Sequence, residues 1–379
     1  MQIHWLVPFL VAVTIPASAK LYPFDPAGSV GTGPSGINAS GAITGTYVYE
    51  SSTHGFVRDP QGNITSFDPT GSIFTIPTSI NASGAITGNY GNSANFYFGF
   101  VRDAQGTITS FDVLGSGDTQ PFGINASGAI TGYYLEDPGG YHGFVRDAQG
   151  NITSFDPVGS ISTVPGSIDD GGAIAGTYQN ANSTMMHGFI RDAQGNITSF
   201  DPTGSTDTLP ANINASGVIA GSYFDAVSVV HGFIRDAQGN ITSFDPSGST
   251  FTTVASMNDS GTIVGTYVDA AFNGSAFVRD PQGNTTLFEL PWSSGPGPRS
   301  INDSGAIVGL YQNYDTTYHG FVGRVPNTMD ISNGTGAVSA TVWQKAQQAG
   351  VSNVIFRRGA EARRTRLRKL NSSERRALG

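Results

Sequence analysis

One phrase written seven times constrains this chain more than any other feature. Ile37-Asn38-Ala39-Ser40-Gly41-Ala42-Ile43-Thr44-Gly45-Thr46-Tyr47 returns, with small changes, from Ile80, Ile124, Ile168, Ile213, Met257 and Ile301. A second phrase, His54-Gly55-Phe56-Val57-Arg58-Asp59, follows each time, starting at Phe98, His142, His187, His231, Ser275 and His319. A Phe-Asp or Phe-Glu pair closes six units, from Phe67-Asp68 to Phe288-Glu289. The seventh pair, Phe24-Asp25, stands at the other end of the chain, and the last unit stops at Arg324 without one. A linear array has no use for that arrangement. A closed ring does, because its last blade can be completed by a strand from the N-terminus.

Each unit of 43 to 45 residues divides into four short strands. In the second unit they are expected at 74–81 (A), 85–90 (B), 99–103 (C) and 107–112 (D). The A–B turn reads Asn-Ala-Ser-Gly and the C–D turn Asp-Ala-Gln-Gly or Asp-Pro-Gln-Gly, hairpin chemistries with glycine where φ must be positive. Four strands in about 44 residues is the size of a propeller blade. The 51 glycines and the scarcity of helix formers agree with a chain that turns often. The expected fold is all-β: a seven-bladed β-propeller of four-stranded blades over residues 20–324, its ring closed by the N-terminal strand. Each repeated phenylalanine buried between blades contributes roughly 1.5–3 kcal/mol.

The ends differ from the repeat. Residues 1–19 read as an export signal, with an apolar run and Ala17-Ser18-Ala19 as the cleavage pattern. The run is too short to span a bilayer. The chain is therefore expected to be secreted, extracellular or periplasmic, without a transmembrane segment. It has no cysteine, so burial alone must hold it. Residues 325–379 are expected to be a disordered basic tail with helical periodicity at 338–349. Residues 341–379 carry ten Lys or Arg against Glu361 and Glu374, whereas the rest of the chain has a net charge of −17. An acidic ring argues against nucleic acid as its partner.

The alternation of Ile-Asn-x-x-Gly-x-Ile-x-Gly with His-Gly-Phe resembles the bacterial extracellular HAF repeat, named for a His-Ala-Phe core. The resemblance covers residues 21–324, with Gly for the central Ala in most copies, and Phe98 and Ser275 in place of His. It implies secretion and a β-propeller, and it carries no catalytic residues.

The repeated charges read as structural. Five histidines (His54, His142, His187, His231, His319) occupy one repeat position and would lie far apart around a ring. Arg58-Asp59 and its copies at Arg102, Arg146, Arg191, Arg235 and Arg279 suggest one bond made in every blade. The Asn/Asp turns at 169–172, 258–261 and 302–305 offer oxygens to calcium but lack the spacing of a dedicated loop. No cofactor is expected, and no motif for a catalytic nucleophile, phosphate loop or zinc protease appears.

The informative signal is a difference between copies. All length change, and most sequence change, falls between strands B and C. Those segments hold Tyr49, Glu50, Phe96, Tyr97, Glu136, Asp137, Tyr141, Met185, Met186, Phe224, Asp225, Asp269, Phe272, Tyr314, Asp315 and Tyr318. In an antiparallel blade the B–C and D–A connections emerge at the same end, which would present aromatics beside carboxylates over a rigid support. The expected function is a monomeric, non-enzymatic binding module for a glycan or protein ligand held there. Two other classes stay open: a polysaccharide-acting glycosidase or lyase using acids such as Glu50, Glu136 and Asp225, and a structural envelope or matrix protein.

Overall fold

The computed structural model describes residues 13–14, 20–136, 139–181, 183–288, 296–313, 316–325, 353–358 and 361–366. The chain divides into two compact units, one of Leu21–Arg324 and one of the two chain ends. In the latter, Val13–Thr14, Asn353–Arg358 and Glu361–Arg366 form a three-stranded antiparallel sheet. Most of the expected export signal and all of 338–349 lie outside the described residues.

The body is all-β, built of four-stranded antiparallel sheets. In the second repeat the strands are Ser72–Ile80 (A), Ile86–Asn92 (B), Tyr97–Arg102 (C) and Ile108–Phe111 (D), paired in that order. The other repeats follow this plan. Those of the fifth and sixth units join into one larger sheet through a single parallel pairing, Val230 with Phe251. The last unit has only three strands of its own, Pro296–Ile301, Ile307–Gln312 and Tyr318–Arg324. The N-terminal strand Lys20–Phe24 takes the outer place beside Tyr318–Arg324. That is the place the missing Phe-Asp pair predicts. Among the described residues no helix is long and apolar enough to cross a membrane.

Two repeated glycines make the sheets possible. A Cβ on Gly88 of strand B would overlap the Ile76 carbonyl, where strand A bulges between Pro77 and Ser79. One on Gly143, the Gly of His-Gly-Phe, would lie 2.9 Å from the Phe155 ring. The room left by that glycine admits the strand D phenylalanine, which then reaches the next unit. Phe67 packs edge-on against Phe100 at 5.9 Å, and Phe200 against Phe233 at 6.0 Å. Phe24, from the N-terminal strand, meets Phe56 of the first unit at 6.0 Å in the same way. All seven strand C phenylalanines are fully buried.

The repeated arginine acts across this seam. Arg102 lies 5.0 Å above the Phe67 ring of the preceding unit, and Arg58 lies 5.1 Å above Phe24. The arginine also donates to the backbone carbonyl of its neighbouring aspartate, at 3.2 Å for Arg102 and Asp103, but not to the carboxylate. Asp59 instead closes the C–D turn, accepting the Asn63 amide and side chain at 2.8 and 2.7 Å.

Candidate functional site

The A–B turns converge on one cavity. Asn38 Oδ1 accepts the Ala42 amide at 2.9 Å and so closes its own turn. Its Nδ2 donates to the Asn81 carbonyl of the next unit at 3.1 Å. Asn81 donates likewise to Asn125 O, Asn125 to Asp169 O, and Asn258 to Asn302 O, each at 2.9–3.0 Å. Asn214 reaches Asn258 O at 3.5 Å, and Asn302 donates to Asn38 O of the first unit at 2.9 Å. Asp169 interrupts the series, because a carboxylate has no hydrogen to give Asn214.

These residues and their neighbours line a cavity of about 210 Å³ that draws on all seven units. Four aspartates border it, Asp169, Asp170, Asp259 and Asp303, with no basic side chain. Asp170, Asp259 and Asp303 each accept a backbone amide of the preceding unit's turn at 2.8–2.9 Å. Burial pushes the Asp169 carboxyl above its ordinary range, against the lowering pull of its turn amides, and Asp170 adds to the rise. None of the B–C residues expected from the sequence lines this cavity; the Asn/Asp turns at 169–172, 258–261 and 302–305 do.

The repeated histidines are tied down. Nδ1 of His54, His142, His187, His231 and His319 lies 2.7–2.8 Å from Oδ2 of Asp68, Asp156, Asp201, Asp245 and Asp25 respectively. Several of those aspartates also receive a threonine hydroxyl from the next unit, as Asp245 does from Thr252 at 2.6 Å. The imidazole leans on the strand B tyrosine, Tyr47 to His54 at 5.3 Å. Nε2 faces the B–C end: it lies 3.4 Å from Glu136 in His142, 3.5 Å from Asp225 in His231 and 2.8 Å from Thr317 in His319. For His231, burial lowers the pKa, but Asp245 and Asp225 outweigh it and the net shift is upward.

The B–C connections are tight turns rather than the longer loops expected from the sequence. Strand B runs on to Asn92 and strand C starts at Tyr97. Tyr49, Tyr97, Glu136, Tyr141, Met186, Phe224, Asp225, Asp269 and Tyr318 therefore lie on strand ends. The cause is the turn chemistry of the opposite end. Asp269 N donates to Asn273 O, Phe272 N donates to Asp269 O, and Asp269 Oδ1 caps Ala271 and Asn273. Asn92, Asp225 and Asn313 start backbone turns of the same pattern. In the A–B and C–D turns the fourth residue, at positive φ, is glycine. Here it is Asn95, Ser228, Phe272 or Thr316.

This end carries the exposed apolar surface. Of the sixteen exposed large hydrophobic residues among those described, only Tyr22, Ile76 and Leu287 lie away from the B–C and D–A ends of the strands. Tyr49, Phe96, Tyr141, Met185, Phe272 and Tyr318 are exposed, and Glu50 sits exposed in its turn. Tyr97 is half-buried, 5.5 Å from Phe74, and the Met186 amide donates to Asp207 of the next unit. Tyr141 packs on Tyr133 at 4.8 Å, and burial, Asp118 and Tyr141 push the Tyr133 hydroxyl up to about 12. Asp137, Tyr314 and Asp315 lie outside the described residues. Glu50, Glu136 and Asp225 belong to the first, third and fifth units, and no hydrogen bond joins any two of them. Sequence reasoning missed Val30, Leu114, Val158 and Phe251 at this end, although three of them stand in the equally legible D–A connections.

Neither a family model nor a curated protein matches the chain. Solved structures do. Virginiamycin B lyase from Staphylococcus aureus is 16% identical, over 80% of this chain and 99% of that one, with a TM-score of 0.54. The β-propeller domain of the Trilobed protease from Pyrococcus furiosus, which has an open velcro topology, is 10% identical over 80% and 99%, TM-score 0.56. A prolyl endopeptidase is 10% identical over 89% of this chain and 50% of that one, TM-score 0.59. The likeness is one of fold, and the fold is that of β-propellers.

Proposed function

We propose that the sheets are seven blades of one closed β-propeller, an HAF-type repeat protein that works outside the cytoplasm as a non-enzymatic binding module. Closure is supported by three links between first and last units, Asn302 to Asn38, Phe24 to Phe56 and the Ile37 amide to Ser300, and by His319 bonding Asp25 of the N-terminal segment within the last unit. The observation that carries the binding reading is the asymmetry of the two ends. The seven A–B turns and the six C–D turns are all glycine-tipped, whereas the B–C and D–A end varies and holds thirteen of the sixteen exposed large hydrophobic residues among those described.

A protein and glycan binding screen with the purified chain tests this. Tyr141→Ala and Tyr318→Ala should each weaken the ligand found by about 1–2 kcal/mol if the ring stacks on it. Gln105→Ala, in a C–D turn at the other end, should leave binding unchanged. Binding lost with Gln105→Ala and kept with both tyrosine variants would reverse the assignment of faces.

A further inference from the structure

Two residues at the exposed end sit in a backbone conformation that works against their side chains. Phe272 has φ +63° and is 89% exposed; Leu114 has φ +55° and is 80% exposed. Bulky residues avoid this region because Cβ crowds the neighbouring carbonyl. Glycine fills the same place in the two other turns of Phe272's own unit, Gly261 and Gly283. Folding gains nothing visible from the phenylalanine, since its ring is almost wholly in solvent. Strain kept at an exposed apolar residue points to a contact outside the chain.

Phe272 does not stand alone. Val227, 77% exposed, tips the corresponding turn of the fifth unit. Phe251 lies between the two turns, where its strand pairs with Val230, and is 38% exposed. Aliphatic branches are poor partners for sugar rings, which take flat aromatic faces, but they fit the apolar notches of a protein surface. The fixed charge around them is negative, with the imidazole of His231 3.5 Å from Asp225. Asp225 and Asp269 begin the two turns, and backbone and side-chain hydrogen bonds hold both carboxyls below their ordinary range. No Lys or Arg occurs in any B–C connection or in the described D–A connections, so nothing there would receive a phosphate, a sulfate or a partner's carboxylate.

We infer that the Val227–Phe251–Phe272 patch docks a polypeptide segment whose apolar side chains alternate with Lys or Arg, with Phe272 as the inserted anchor. This rests on the binding reading above and narrows its ligand to a cationic, apolar peptide.

The test uses the full chain and fluorescence anisotropy with three labelled peptides of equal length. One alternates Leu and Phe with Lys, one has Glu for Lys, and one has Ser for Leu and Phe. A neutral cello-oligosaccharide is titrated in parallel by calorimetry. The first peptide should bind at least about tenfold more tightly than the other two. Phe272→Gly should weaken it about tenfold, as loss of a central aromatic does, without lowering Tm. Val227→Ser should weaken it less. Phe272→Gly with unchanged affinity overturns the patch, and failure of all three peptides overturns the partner class. Oligosaccharide binding lost in these variants, with the peptides inert, rejects the peptide but leaves the binding face standing. Peptide binding lost with Gln105→Ala alone rejects the binding face itself.

Discussion

The two ends of the sheets reverse the chain with the same hydrogen bonds and opposite tolerance. At the A–B end, Asn38 closes its turn and bonds the next unit, and glycine takes the left-handed position. At the B–C end, Asp269 closes an identical turn, yet the left-handed position is held by a phenylalanine. The first end is constrained because its side chains must meet a neighbour of the same kind. The second has fewer such obligations, so its sequence is free to answer to something else. Uniformity across repeats marks inter-unit bonding, and departure from it marks surface.

Two phenylalanines test that contrast most severely. Phe144 is fully buried at the seam between units, and Phe272 is exposed at a turn. Phe144→Ala should cost about 3–5 kcal/mol, the range for emptying a packed aromatic site. Phe272→Ala should stay within about 1 kcal/mol of the parent. Urea denaturation of both variants measures the difference, and equal losses would mean that the exposed turn is part of the core.

The next effect lies in the belt of asparagines. Asp169→Asn supplies the missing donor toward Asn214 and should stabilise the fold at pH 7 by about 1 kcal/mol. The pH dependence has a definite sign. Burial raises the Asp169 carboxyl in the folded state, so between the ordinary carboxylate range and that raised value the folded chain holds more protons than the unfolded one. Stability from this group therefore falls as pH rises through that window. Acidification should narrow the gap between parent and variant. Thermal melts of both chains across pH 4–8 give the answer; a gap that widens toward acid would exclude this account.

These residues also show how far the sequence could be read. The displaced Phe24-Asp25 pair was legible because counting closing pairs needs no structure. The asparagine turns were legible as turns. Their reach to the next unit was not, since the direction of Nδ2 depends on where the neighbouring unit stands. The repeated arginine does make one bond per unit, to the carbonyl of the aspartate that follows it, but its stacking on a phenylalanine of the preceding unit, 35 residues away for Arg102 and Phe67, could not be read. The B–C turns were hidden for a different reason. Asn92, Asp225, Asp269 and Asn313 carry the turn signal, and the absent glycine made the segments look like loops.

The smallest effect expected lies where the variable end touches the uniform one. Every repeated histidine meets an aspartate through Nδ1, but His142 and His231 each have a second carboxylate near Nε2, Glu136 at 3.4 Å and Asp225 at 3.5 Å. Asp225 belongs to the B–C turn, so a variable position alters the charge of a repeated one. Burial opposes protonation of His231, while Asp245 and then Asp225 favour it and prevail, leaving its pKa raised. A raised histidine adds stability that is complete below the unfolded pKa and is lost as pH rises through the folded one. Asp225→Asn keeps the turn oxygen that accepts the Val227 and Val229 amides and removes only the charge. Its His231 ring resonances should therefore titrate at a lower midpoint than in the parent. A parent midpoint preserved in the variant would show that Asp245 alone sets the shift, and that the variable end leaves the repeated pair untouched.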